Sequence, residues 1–333
     1  MKLRMLTAGL ALATPLLLAA AQAAPLELLP VQGDVWLLAG GPTNVAVQVG
    51  RDGVLLVDAP PEALTDEAMV LVRTVSKLPV RYVISTALDP ERTRGDRALG
   101  RYAEPLLGTE RGAINVTNNA VASAGGPING LEVLGHENVL NRLTSLPKEQ
   151  AASLAGALVT SEYYLPWKDF PMNGDAVVVT HLPAAHTDGD SLVHFRRSDV
   201  LVTGDVFTPG QFPRIDLARG GSVQGELDAL NRILDIAVPG PFQEGGTMVI
   251  PGRGRICDEA DVVEYRDMVK IITDRVQDQL RRKQALAQVL ASRPAQDYET
   301  EYGGTRGGPT AEEFVTTLYK SLAAQPKKKD AKP

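Results

Sequence analysis

Ala185-His186-Thr187-Asp188-Gly189-Asp190 is the stretch on which the reading of this chain turns. It follows a β-prone run, Ala176 to Thr180, and precedes two more, Leu192 to Phe195 and Val200 to Thr203, the last entering Gly204-Asp205. A histidine among acids in a glycine-containing loop between strands marks a candidate site, because strand-end loops carry function while the strands carry packing. Two further segments have the same character. Thr86-Ala-Leu-Asp89-Pro-Glu91-Arg92-Thr-Arg94-Gly-Asp96 follows the apolar run Val80 to Ile84, and Pro251-Gly252-Arg253-Gly254 follows Met248 to Ile250.

The surrounding pattern is α/β. Val35 to Leu38, Asn44 to Val49 and Val54 to Val57 read as strands separated by turn signals at Gly40-Gly41-Pro42 and Asp52-Gly53. Apolar residues at helical spacing from Glu62 to Lys77 and from Gln224 to Ala237 predict helices covering sheet faces. Asp258 to Ser292 reads as one long helix with a stripe through Val262, Tyr265, Val269, Ile272, Val276 and Leu280, and Ala311 to Ala323 as a shorter one.

Composition bounds the rest. The chain has 333 residues, 44% of them hydrophobic, enough for one sizeable domain. A net charge of −6 provides no broad positive field, so nucleic acid is not an expected partner. Residues 1–24 read as a secretory signal, with Lys2 and Arg4, an apolar run from Met5 to Ala20 and the small-x-small site Ala21-Gln22-Ala23. The expected organisation is that signal peptide, a main domain over 25–257, a helical extension over 258–325 packed on it, and a disordered tail over 326–333. A periplasmic or secreted location follows, with no stable membrane span once the signal is cleaved. Cys257 is the sole cysteine, so no internal disulfide is possible.

The order and spacing of these loops and their flanking strands resemble the metallo-β-lactamase superfamily over roughly residues 30 to 325. Gly135-His-Glu-Asn-Val-Leu140, Arg219-Gly-Gly-Ser222 and the C-terminal extension ending Phe314 to Leu322 resemble an exported, hydrolase-like subgroup. The resemblance implies an αββα four-layer sandwich with C-terminal helices. It also implies a dinuclear zinc site, in which neutral imidazoles and ionised carboxylates hold two cations that acidify a water.

The ligand positions are largely replaced. The histidines of the family's H-x-H-x-D-H loop fall on Ala87 and Asp89, its aspartate on Glu91 and its last histidine on Arg92. His186 and Asp205 remain, and the final histidine is Arg253. Two of seven ligands survive, which predicts a degraded centre. Without metal charge the carboxylates of Asp89, Glu91 and Asp205 would repel one another, and Arg92 and Arg253 can answer with fixed guanidinium charge. The leading expectation is therefore a non-hydrolytic pseudoenzyme or ligand-binding relative with no cofactor. The alternative is a hydrolase of ester, lactone or β-lactam-type bonds using one divalent metal, zinc, manganese or iron. Its ligands would be Asp89, His186 and Asp205, with Glu91 as fourth ligand or general base. A third reading has Arg92, Arg94 and Arg253 binding a small anionic ligand.

Other polar residues have plainer expectations. His136 should make an N-terminal contact in a helix, His194 should be structural, and His181 has no assigned role. Asp96 should cap a short helix, Asp190 should hold the His186 loop through backbone amides, and Arg214 should pair with Asp216 at the surface. Arg219-Gly-Gly-Ser222 reads as a turn. No G-x-S-x-G elbow, dinucleotide fingerprint or Walker motif occurs, and Cys257 has no flanking histidine.

Overall fold

The computed structural model describes residues 25–104, 130–147, 154, 156–303 and 307–324; the expected signal segment and C-terminal tail lie outside them. The first sheet has seven strands in sequential order: β1 (Glu27–Gln32), β2 (Val35–Ala39), β3 (Val45–Gly50), β4 (Gly53–Val57), β5 (Val80–Ile84), β6 (Glu132–His136) and β7 (Ser161–Tyr163). It is an antiparallel meander through β4 and parallel from β4 to β7. The second sheet runs β12-β11-β10-β9-β8, from β8 (Trp167–Met172), β9 (Asp175–Leu182), β10 (Asp190–Phe195), β11 (Val200–Val202) and β12 (Met248–Ile250).

Strand alternation builds the layers. On β4, Leu55 and Val57 meet Val193, Phe195 and Val202 between the sheets, while Val54 and Leu56 pack under helix α1 (Thr65–Val75) on Ala68, Met69 and Val72. On β10, Leu192 instead faces the far side. There it meets the helical segments Val223–Leu234, Glu259–Arg281 and Ala311–Ala324, so the order is helix, sheet, sheet, helix. This is the αββα sandwich expected from the sequence.

Short helices α2 (Pro90–Thr93) and α3 (Asp96–Leu99) follow β5, and α4 (Glu137–Ser145) follows β6. Helix α5 (Val223–Leu234) is capped by Ser222 Oγ, which accepts from the Gly225 amide. The expected long helix over Asp258 to Ser292 is two. Helix α6 (Glu259–Arg281) ends where Lys283 takes φ +59, and α7 (Leu286–Ala291) begins after it. The Gln284 amide donates to Gln279 O and the Lys283 amide to Leu280 O, a Schellman closure made without glycine, which is why periodicity alone ran through it. The short α8 (Glu299–Tyr302) and α9 (Ala311–Ala324) complete the chain, with Phe314, Val315 and Leu318 buried against Val262, Tyr265 and Val269. Among the described residues no helix is long and apolar enough to cross a membrane. Four strands escaped the sequence reading, β1, β6, β7 and β8. β1 carries Pro30, which an edge strand tolerates because one row of its amides faces no partner.

Candidate functional site

The ends of β4, β5, β10 and β11 and the loop after β12 converge on one cleft, and a guanidinium lies at its centre. Arg92 is 1% exposed on α2. Its Nε donates to Asp205 Oδ2 (2.8 Å) and its Nη2 to Asp205 Oδ1 (2.5 Å), a two-pronged fork. Nη1 donates to Asp58 Oδ2 (2.7 Å), and Nη2 also to the Gly252 carbonyl (3.2 Å). The backbone makes room for it. A Cβ on Gly252 would stand 2.4 Å from Arg92 Nη2 and equally close to the Gly204 carbonyl, so only glycine fits.

Asp58 was not singled out in the sequence. It ends β4 at φ +64, a conformation aspartate tolerates better than most residues, and accepts from the Thr86 amide (2.8 Å) and hydroxyl as well as from Arg92. Burial raises its pKa against the opposing pull of Arg92 and Thr86. Burial would raise Asp205 too, but the charge and hydrogen bonds of Arg92, with His186 and Arg253, hold it well below the usual carboxylate range. The same pair of aspartates raises Arg92 despite the penalty of its burial.

The second expected arginine sits at the rim. Arg253 bonds Glu91 and donates to the Pro42 carbonyl (2.5 Å), while its Nε stands 3.8 Å from Asp205 Oδ1. Glu91, half exposed, is held by Arg253 and is not among the acids whose donor atoms group with His186. A third arginine was read only as part of a turn. The turn is real, with Gly220 at φ +81, but it aims Arg219 into the cleft. There Nη2 meets Asp89 Oδ1 (2.9 Å), Nε meets Asp216 Oδ2 (2.7 Å) and Nη1 meets the Leu88 carbonyl (2.7 Å). Asp216 therefore pairs with Arg219, and Arg214, expected as its partner, donates to the Gly307 carbonyl instead.

His186 is buried with both ring nitrogens lacking a hydrogen-bond partner, and Asp89 Oδ2 likewise. Its Nδ1 lies 3.5 Å from Asp190 Oδ1 and 3.7 Å from Asp89 Oδ2, close enough for ion pairing without hydrogen-bond geometry. Burial pulls the imidazole pKa down, but Asp190, Asp89 and Asp205 outweigh it and push it up to about 9. A folded pKa above the unfolded value gives stabilisation that is complete below pH 6.5 and lost as pH rises through about 9. The His186 ring is thus expected to be cationic at pH 7.5 in an NMR titration; a ring neutral there contradicts this electrostatic picture. Asp190 fixes the loop as expected, accepting from the Thr187 amide (2.6 Å) and hydroxyl (2.9 Å).

Donor atoms of Asp89, His186 and Asp205 lie within 4.8 Å of one another, so the structure does bring the three metal candidates together. The cleft does not fit a two-metal centre, since Ala87 offers no donor, Glu91 is turned to the rim, and Arg92 and Arg253 bring positive charge. For one cation the unpartnered atoms of His186 and Asp89 are suitable, but both oxygens of Asp205 are already forked.

The fold itself has solved counterparts. The stereoselective inverting sec-alkylsulfatase Pisa1 from Pseudomonas sp. superposes with a TM-score of 0.60 at 12% identity, over 89% of this chain and 50% of its own. This chain thus spans half the length of the alkylsulfatase. A metallo-β-lactamase from Hirschia baltica matches at TM-score 0.52 and 16% identity, over 74% of this chain and 98% of its own. One from Pontibacter korlensis matches at 0.52 and 15%, over 74% and 99%. The chain has the metallo-β-lactamase fold. No protein-family model matches the sequence. No curated protein matches it either.

Within this metallo-β-lactamase fold the remaining polar residues fall into structural places. Asp96 is not a cap. It is fully buried inside α3, and its Oδ2 accepts from the Leu158 amide while burial raises its pKa well above normal. Glu226 on α5, unremarked in the sequence, is fully buried with neither oxygen partnered, and burial together with Asp190 raises its pKa well above normal. His194 stands at the other end of β10, 3.8 Å from Asp199. His136 caps α4, its Nδ1 accepting from the Asn138 amide (3.3 Å), the helix contact expected of it.

Proposed function

We propose that this chain is a non-hydrolytic relative within the metallo-β-lactamase fold, its cleft organised by guanidinium–carboxylate pairs where relatives hold metal. One observation carries the reading: Arg92 forks both oxygens of Asp205, which stands where the family resemblance implies the metal-bridging aspartate. Magnitudes favour it. At 4 Å and an effective dielectric of 20 a divalent cation is repelled by a guanidinium by about 8 kcal/mol, which offsets its attraction to one carboxylate at the same distance. Arg92 is shared by Asp58 and Asp205 and Arg219 by Asp89 and Asp216, so an entering cation meets a guanidinium already bound at both Asp205 and Asp89.

The unpartnered nitrogens of His186 favour a second reading, a hydrolase holding one divalent ion on Asp89, His186 and Asp205. Oxygen-rich donors suit manganese or iron better than zinc. The two readings separate in one assay. The purified protein is incubated with zinc, manganese or ferrous iron and offered β-lactam, lactone and aryl-ester substrates. The expected result is no metal-dependent turnover and no thermal shift. Metal-dependent hydrolysis abolished by Asp205→Ala overturns the non-hydrolytic reading. Any ligand of such a cleft would be a small anion held at its rim by Arg253 and Arg219, because the donors of Arg92 are engaged.

A further inference from the structure

Beside the cleft, His136 and His181 stack face to face, ring centroids 3.5 Å apart and planes 10° from parallel, with Tyr163 edge-on to His136 at 5.0 Å. The two rings belong to different sheets, His136 ending β6 and His181 lying on β9. His136 Nδ1 accepts from the α4 amide of Asn138, which fixes it as the neutral tautomer. A proton there would set donor against donor, at a helix N-terminus that already disfavours positive charge and against the face of a second imidazole. His181 Nε2 bonds the Asp188 carbonyl at 2.9 Å, and that carbonyl also accepts from Asn138 Nδ2 (2.8 Å).

We propose that the His136–His181 stack is an acid-sensitive clasp between the two sheets, closed while His136 is neutral and opened when His136 takes up a proton. The groups facing it are few. Asp188 favours the charged form and is itself held by Arg142 (2.7 Å); Tyr163 from β7 is bonded to Ser191 and stays neutral; Glu137 is the first residue of α4. Burial and then His181 lower the His136 pKa to about 4, against Asp188. Unfolded, or with the clasp open, the ring protonates near 6.5, so closure weakens as pH falls across that interval. Opening reaches the cleft by contact. Asp188 sits between His186 and Asp190, Arg142 bonds both Asp188 and the Arg219 carbonyl, and Arg219 holds Asp89. The clasp thus ties the geometry of the acidic cluster to the acidity of the surroundings.

Hydrogen exchange on the full-length protein, corrected for the intrinsic pH dependence of exchange, tests this. From pH 7 to pH 4.5 exchange at Asn138 and in 187–190 is expected to rise roughly tenfold or more, one proton's linkage over more than a pH unit, while β3 and β4 stay protected. His136→Asn retains an N-cap acceptor but cannot charge, so its exchange should stay flat. His181→Phe retains a ring on the stack and should need lower pH to open. The same rise in both variants overturns the proposal. Should the variants fail to fold, the wild-type His136 ring decides it: an NMR titration midpoint near 6.5 also overturns it, and one below 5 supports it.

Discussion

Arg92→Ala is expected to lower folding stability by about 3–5 kcal/mol, the cost of leaving buried charges without their partner. Arg92 has the largest fully buried side chain among the described residues, and its removal leaves Asp58 with only Thr86 and Asp205 with only the more distant charges of His186 and Arg253. Either carboxylate would then protonate or draw in water. The companion variant separates charge from packing. Arg92→Met with Asp58→Asn and Asp205→Asn keeps the volume and removes every charge, and buried ion networks replaced this way are often close to neutral in stability. It should recover most of the loss. Urea denaturation with an unchanged slope measures both. A loss under 1 kcal/mol in Arg92→Ala would mean the fork contributes little beyond its volume.

Giving the cleft the zinc-binding residues that the family resemblance implies has the other large expected effect. Ala87→His, Asp89→His, Glu91→Asp, Arg92→His and Arg253→His together replace two fixed positive charges with neutral imidazoles and supply the absent donors. This variant should bind zinc stoichiometrically. At free zinc about a hundredfold above the dissociation constant it should gain nearly 3 kcal/mol, seen as a rise in melting temperature. The unaltered protein should show no such rise. A variant that folds by circular dichroism yet takes up no zinc would show that these five side chains are not enough to make a zinc site in this cleft.

Much of the architecture was legible because burial leaves a period in the sequence. Leu55 and Val57 alternate with Val54 and Leu56, and both faces of β4 are covered, so the run is wholly apolar and punctuated by Gly53 and Asp58. The helix break at Lys283 left no mark, since a lysine took the left-handed position that glycine usually signals. At the site, Arg92, His186 and Asp205 were visible through the order of the loops. Asp58 was not, because an aspartate before Ala59-Pro60-Pro61 looks like a turn residue; its one sequence signal was its position at the carboxyl end of a buried strand. Arg219 was correctly placed in a turn, but where a turn aims its side chain depends on the neighbour 130 residues away, Asp89. Glu226 gave no signal at all, as an acid in an amphipathic helix reads as solvent-facing.

In the proposed non-hydrolytic reading, Arg92 supplies inside the cleft the positive charge that the family resemblance assigns to metal. A crystal structure of the protein grown with zinc, manganese and iron supplements and purified without chelator, with anomalous maps at each metal edge, tests it most directly. The expected result is the guanidinium of Arg92 on Asp58 and Asp205, with no anomalous peak between Asp89, His186 and Asp205. Arg92 swung to solvent above a strong peak at that position would contradict it.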